Sequence, residues 1–247
     1  MSRDVDSFQA VAPYYDELMR PVPYRMWTAY YLLLLSQQGV RPKRVLDVCC
    51  GTGTMCQMLH AEGFQMSGFD LSAAMIAEAK LKAERKKVPI HFEVADASEF
   101  NLGKTFDAAY SFFDSLNNIL DPTKLEAAFN RVWEHLVSGG SWIFDVNTAY
   151  AFETRLFDQE DLKPNSSLKY HWTGHWDPDA RQIQVDMLFW KDGEEFRETH
   201  RQRAYGHVEL VDMLERTGFI DIRAYHSYSL DPPRKKSDRI HYTCRKP

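Results

Sequence analysis

Two hydrophobic rhythms alternate along the first 147 residues of the chain. Short, mostly apolar runs at Arg44–Cys49, Gln65–Phe69, Ile90–Val94, Phe106–Phe112 and Ser141–Val146 read as strands. The stretches between them have helical spacing and helix punctuation. Tyr24–Gln38 carries a broad apolar face and stops at Gly39, where a C′ glycine is expected. Thr54–Glu62 ends at Gly63. The stretch from Ser72 to about Lys87 opens on an N-cap serine and closes on a basic cluster suited to the helix C-terminus. At Asp121-Pro122 an N-cap is followed by an N1 proline, then Leu125, Ala128, Phe129, Val132, Trp133 and Leu136 recur at helical spacing until Gly139-Gly140. This β-α-β-α-β register predicts an α/β fold with a doubly wound parallel sheet, capped by helices over residues 1–40.

After Asn147 the rhythm changes. Leu168–Asp177, Arg181–Lys191 and Glu194–Tyr205 read as an antiparallel meander, with turns at Asp177-Pro178-Asp179 and Asp192-Gly193. A helix from about His207 to Thr217 follows, then strands at about Phe219–Leu230 and Arg239–Arg245, joined through Asp231-Pro232-Pro233 and expected as a hairpin at the sheet edge. The excursion over 148–205 leaves the sheet and returns to it, so it reads as a lid on a single domain spanning 1–247 rather than as a second domain. Its segment His171-Trp172-Thr173-Gly174-His175-Trp176-Asp177 places His171, Thr173, His175 and Asp177 on one strand face and Tyr170, Trp172 and Trp176 on the other. Alternate-face burial explains this pattern without a metal.

Composition narrows the picture. The chain has 44% hydrophobic, 13% aromatic and 26% charged residues, with a formal net charge of −5, which is ordinary for a globular protein and disfavours duplex nucleic acid as a partner. The four cysteines, Cys49, Cys50, Cys56 and Cys244, match neither a disulfide framework nor a zinc spacing and point to a reducing, cytoplasmic setting. The longest apolar run, Ala29–Leu35, has seven residues, and the N-terminus lacks the basic start and apolar stretch of a signal peptide.

The chemistry concentrates at Asp47-Val48-Cys49-Cys50-Gly51-Thr52-Gly53, a turn between strand and helix whose backbone amides can approach a polar ligand. A phosphate-binding G-x-x-x-x-G-K-[ST] loop is absent. The dinucleotide fingerprint would place its third glycine where Cys56 stands. An acidic residue, Asp70, ends the second strand, 17 residues after Gly53, where a carboxylate can accept hydrogen bonds from ribose hydroxyls. Turn glycines and strand-end aspartates are common, so these features alone leave the ligand open.

Together with Gly68-Phe69-Asp70-Leu71-Ser72-Ala73-Ala74-Met75, Ala95-Asp96-Ala97, Phe106-Asp107 and Leu136-Val137-Ser138-Gly139-Gly140, the turn resembles the class I S-adenosylmethionine-dependent methyltransferases, in order and spacing over about residues 44–146. Cys49 departs from the fullest form of the motif, which has glycine there. Tyr14–Met19, Val22–Trp27, Phe112–Asn117 and Phe144–Asn147 extend the likeness to small bacterial methyltransferases related to aminosugar N,N-dimethyltransferases and glycine N-methyltransferases. The resemblance implies a Rossmann-like seven-stranded sheet of order 3-2-1-4-5-7-6 with one antiparallel edge strand.

It also implies roles. Gly51 and Gly53, beside Cys49, pass the methionine part of the cofactor. Asp70 binds the ribose hydroxyls, Leu71 and Met75 flank the adenine, and Asp96 with Ala97 meets its edge. Tyr15 and Trp27 fold over the sulfonium, a cation that aromatic faces stabilise, and Phe112 lines the transfer pocket. Asp114 and Asn117, at the carboxyl edge of the sheet, and His175 in the lid are candidates to orient the acceptor or take its proton. Helix capping or strand-end bonding is the alternative role for Asp70, Asp96, Asp114 and Asn117, and core packing is the alternative for the two aromatics. The expected activity is in-line transfer of a methyl group to a nitrogen or oxygen of a small molecule. A nicotinamide oxidoreductase and an inactive S-adenosylmethionine-binding protein are the alternatives. The acceptor and the oligomeric state are not legible in the sequence.

Overall fold

The computed structural model describes residues 8–247, so the first seven residues of the expected cap lie outside the described residues. The described part of the cap is a 3-10 turn at Ala12–Tyr14, a single helical turn α1 (Tyr15–Leu18) and the longer α2 (Tyr24–Gln37). Then come β1 (Arg44–Val48), α3 (Thr54–Ala61), β2 (Gln65–Asp70), α4 (Ala73–Lys86), β3 (His91–Val94), β4 (Phe106–Ser111), α5 (Pro122–His135) and β5 (Leu136–Asn147). The second half comprises α6 (Ala149–Glu153), β6 (Gln159–Asp161), β7 (Leu168–Asp177), β8 (Gln182–Lys191), β9 (Glu194–Arg203), α7 (His207–Thr217), β10 (Ile220–His226) and β11 (Arg239–Arg245). Capping follows the expected chemistry: Ser72 accepts from the Met75 amide and Asp121 from the Thr123 amide.

The main sheet has the order β3-β2-β1-β4-β5-β11-β10, with β1 to β5 parallel. This is the expected order, with one refinement. The antiparallel strand is not at the edge: β11 is inserted between β5 and β10 and runs antiparallel to both. Insertion pairs both rows of its backbone groups, which suits a strand buried continuously from Ile240 to Cys244. A second difference concerns Gly139-Gly140, expected to end a helix. α5 stops at His135 and β5 starts at once; the glycines lie in an irregular stretch of β5 where the register with β4 shifts. One sheet face packs on α5 and α7 through Phe129, Phe144, Leu214 and Tyr242. The other packs on α2, α3 and α4 through Tyr31, Leu34, Leu59, Ile76 and Tyr110. No helix of the described residues is long and apolar enough to cross a membrane.

The excursion after β5 forms a separate antiparallel sheet, β6-β7-β8-β9. Its edge strand β6 was not signalled by the sequence, because a three-residue, exposed Gln159-Glu160-Asp161 carries no apolar pattern. The face assignment of β7 holds. Trp172 pairs with Met187 and Trp176 with Ile183 on the inner, apolar side, whereas His171 and His175 pair with the acids Glu160 and Asp186 on the exposed side.

The turn from β1 into α3 is under tight steric control. Gly53 has φ +69°, and a Cβ there would lie 2.6 Å from Cζ of the buried Phe92 ring; Gly51 has φ +53° but open space around it. Gly53→Ala is therefore expected to destabilise the chain by about 2–4 kcal/mol from left-handed strain plus overpacking. Gly51→Ala should lose only the strain, about 1–2 kcal/mol. Equal losses in urea unfolding of the two variants would contradict this account.

Candidate active site

The carboxyl ends of β1, β2, β4 and β5, the cap and the second sheet surround a cavity of about 1300 Å³. Its floor is the turn after β1, in which Cys49, Gly51 and Gly53 all have positive φ, +62°, +53° and +69°. Cys49 thus occupies a left-handed position that favours glycine, which explains why its residue type stood out. The turn is tied down by the Cys50 amide donating to the Phe69 carbonyl (2.9 Å) and the Gly51 amide donating to Asp70 Oδ2 (2.8 Å). Close packing of helix on strand is achieved from the strand side. A Cβ on Gly68 of β2 would meet Cys50 Sγ at 2.9 Å and Cys56 Sγ at 3.2 Å, so the room for Cys56 in α3 is made by Gly68.

Beneath the turn, Asp47 is buried and accepts from the Tyr110 hydroxyl (2.6 Å) and from Cys56 Sγ (3.3 Å). Burial pushes its carboxyl up to about 7, against the pull of those two hydrogen bonds. The same burial, with nearby carboxylates, raises the thiols of Cys49, Cys50 and Cys56 well above their usual range, so they are protonated packing groups rather than nucleophiles.

Asp70 accepts the Gly51 amide on one oxygen and the Ser72 amide (2.9 Å) on the other, and it borders the cavity. A carboxylate offers about four acceptor sites, so each oxygen keeps one. Leu71, exposed, and Met75, buried, stand beside it on the cavity wall, as do Asp96 and Ala97. Asp96 is partly engaged: Oδ1 accepts the Ser98 amide (2.8 Å), and Oδ2 lies 3.7 Å from Lys124 Nζ.

The cap is pinned to this floor by charge. Asp16 accepts from Thr52 Oγ1 (2.6 Å) and pairs with Lys82 (2.6 Å), which also donates to Thr52 and Thr54. The adjacent Tyr15 is thereby held at the cavity, with burial raising its phenol so that it stays neutral. Trp27 closes another side, 4.8 Å from the Phe113 ring and stacked on Tyr228 at 6.0 Å. Phe112 lines the space between them.

At the end of β4, Asp114 is buried at φ +49°. Its carboxylate accepts from Arg239 Nη2 (2.6 Å) and Gln202 Nε2 (2.7 Å); Arg239 also binds the buried Asp145, whose carboxylate accepts the Asp114 amide (3.2 Å). Three residues singled out from the sequence stand elsewhere. Gly53 turns toward Phe92 and does not border the cavity. Asn117 is fully buried behind it. Its Nδ2 donates to the carbonyls of Asn147 (3.0 Å) and Arg203 (2.8 Å), and its Oδ1 accepts the Asn147 amide (2.9 Å), so it clasps β5 to β9 with both amide atoms engaged. His175 lies on the exposed face of the second sheet, 3.4 Å from Asp186, and does not reach the cavity. Conversely, Arg239, Asp145, Gln202, Glu198 and His200 went unremarked in the sequence. The last three stand on the buried face of β9, where Glu198, His200 and Gln202 follow Phe196 at a spacing of two in a segment otherwise polar throughout.

Comparison with known proteins agrees with this architecture. A family described as a methyltransferase domain matches residues 45–140. YqeM of Bacillus subtilis (strain 168), provisionally named a methyltransferase, is 30% identical over 244 residues, 97% of this chain and 97% of that protein. A dTDP-3-amino-3,4,6-trideoxy-alpha-D-glucopyranose N,N-dimethyltransferase of Streptomyces venezuelae is 35% identical over 108 residues, 43% of this chain and 44% of that enzyme. Among solved structures, an S-adenosylmethionine-dependent methyltransferase from Clostridium acetobutylicum ATCC 824 superposes with a TM-score of 0.83 at 26% identity, over 98% of this chain and 99% of that one. The chain belongs to the S-adenosylmethionine-dependent methyltransferases.

The elevated Asp47 carboxyl has a measurable consequence. Folded Asp47 holds its proton to about pH 7, but the unfolded chain releases it near the ordinary value of 3.8. The folded state binds the extra proton between these values, so this group's contribution to stability is lost as pH rises through that window, by at most about 1.4 kcal/mol per pH unit. Asp47→Asn removes the contribution. In urea unfolding, the stability of the variant relative to wild type is expected to be more favourable at pH 8 than at pH 5; a difference that does not change between them would refute the assignment.

Proposed function

We propose that this enzyme transfers the methyl group of S-adenosylmethionine to an amine nitrogen of a small molecule by in-line displacement. The observation that carries the reading is the cavity itself. At about 1300 Å³ it exceeds the usual range of about 300–1000 Å³ for a site holding one ligand. One side has the free acceptor sites of Asp70 and the open space at Gly51; the other has Asp114 and the aromatic rings of Trp27, Phe112 and Phe113.

The residues on the first side fit the cofactor. The unfilled lone pairs of Asp70 are matched to two hydroxyl donors, as on a ribose. Leu71 and Met75 offer apolar surface to a flat ring, with Asp96 and Ala97 at its edge. Gly51 leaves room for a chain to pass over the turn, beside Cys49. When bound, S-adenosylmethionine supplies an electrophilic methyl group together with its leaving group. The protein therefore has to align and desolvate the reactants. Tyr15 and Trp27 present aromatic faces to positive charge. Asp114, held by Arg239 and Gln202, presents a fixed carboxylate edge that orients an amine. The second sheet excludes water and limits the acceptor to a small molecule. An amine is also the group methylated by the S. venezuelae relative, as its name states.

The test is calorimetry with S-adenosylmethionine, S-adenosylhomocysteine and NADH, followed by a screen of amines, aminosugars and phenols for homocysteine-linked product. Binding of the first two and turnover of an amine are expected; preference for NADH, or turnover of phenols alone, would sink the proposal. Asp70→Ala should weaken S-adenosylmethionine binding by about 10- to 100-fold, the equivalent of one charge-assisted hydrogen bond.

A further inference from the structure

Apart from Lys191 at the end of β8, which pairs with Glu17, the inner face of the second sheet is apolar except along β9. Glu198, His200 and Gln202 are all buried there, while Arg197, Thr199 and Arg201 of the alternate positions are exposed. Gln202 is explained by its bond to Asp114. Glu198 and His200 face Met187 and Val185 across the strand pair, positions at which apolar residues would hold the sheet as well.

His200 Nε2 lies 2.6 Å from Glu198 Oε2. Glu198 is otherwise occupied by three backbone amides, those of Phe8 (3.0 Å), Ala10 (2.7 Å) and Val11 (2.9 Å). A carboxylate collecting only donors makes the imidazole donate from Nε2, which leaves Nδ1 as the nitrogen that can carry the lone pair. Nδ1 has no hydrogen-bond partner among the described residues, and His200 borders the cavity. The Phe8 ring lies over the imidazole, with centroids 4.1 Å apart. Gln202, two residues along the same strand face and so about 7 Å away, reaches Asp114 at the end of β4.

The geometry points to His200 as the group that takes the proton of the acceptor nitrogen, with Glu198 as the residue that positions it. This rests on the methyl-transfer reading above. An ammonium acceptor gives one proton to Nδ1, leaving a neutral amine and an imidazolium paired with Glu198. The freed lone pair forms the C–N bond as the C–S bond of the sulfonium breaks, its electron pair staying on sulfur. The methylated product keeps a single positive charge, and the proton on His200 passes to water when the site opens. Asp114, its carboxylate held in place by Arg239 and Gln202, orients the nitrogen.

One test needs no acceptor. In the full chain labelled with 15N-histidine, the resonance lost in His200→Gln reports this ring, and protonated Nε2 with bare Nδ1 is expected. Glu198→Gln should convert it to a mixture of tautomers. A ring protonated on Nδ1, or one indifferent to Glu198→Gln, overturns the proposal. A second test uses an amine that the wild type methylates. His200→Gln should lower kcat by about 100-fold, the scale of a lost general base, with KM and S-adenosylhomocysteine affinity little changed and partial rescue by added imidazole. Unchanged kcat, or a loss matched by lost S-adenosylhomocysteine affinity and not rescued, makes the pair structural and overturns the proposal. Failure of wild type to bind S-adenosylhomocysteine overturns the underlying methyl-transfer reading instead.

Discussion

Three residues with positive φ, Cys49, Gly51 and Gly53, turn the chain from β1 into α3, and every group that faces the cavity is placed relative to that turn. The turn survives because it is held from several directions. Asp70 accepts the Gly51 amide, Gly68 yields space to Cys50 and Cys56, and Asp47 fills the volume underneath with its carboxyl bonded to Tyr110. A left-handed non-glycine residue such as Cys49 costs about 1–2 kcal/mol, so the surroundings must over-determine its conformation. Asp70 both fastens the turn and faces the cavity, which couples the shape of the floor to the group best placed to bind hydroxyls.

The covering of the cavity depends on carboxylates. Asp16 joins the cap to the glycine turn through Thr52 and Lys82, Glu17 joins it to the second sheet through Lys191, and Glu198 gathers the amides at the start of the described chain. The exposed pairs among these contribute little stability individually. Their importance is geometric, since together with the apolar packing around Val11 and Phe189 they hold Tyr15 and Phe8 at the cavity.

Around Asp114 the order is reversed: the polar groups are deeply buried and bonded to one another. Asp114 and Asp145 share Arg239, and Gln202 bridges from the second sheet. Removing one member of such a buried network strands a charge, whereas the intact set gives a rigid surface.

The periodicity of the chain determined the strands and helices of the main sheet, because burial on both faces writes itself as short apolar runs and glycine-ended amphipathic helices. The floor was legible for the same reason: Gly51, Asp70, Met75 and Phe112 are close to their own strand ends, and local geometry places them. What sequence spacing could not convey was pairing between distant segments. It did not show that β11 slips between β5 and β10, nor that Asn117 binds the backbones of β5 and β9 through both atoms of its amide. His175 carried a plausible chemistry but stands on the exposed face, since one residue along a strand reverses the direction of the side chain. By the same rule, His200 and Glu198, in a stretch polar at nearly every position, acquired an inner face only through the register of β9 with β8. Local periodicity decided the scaffold and the floor of the cavity; the tertiary pairing of strands far apart in sequence decided which polar groups border it from the second sheet.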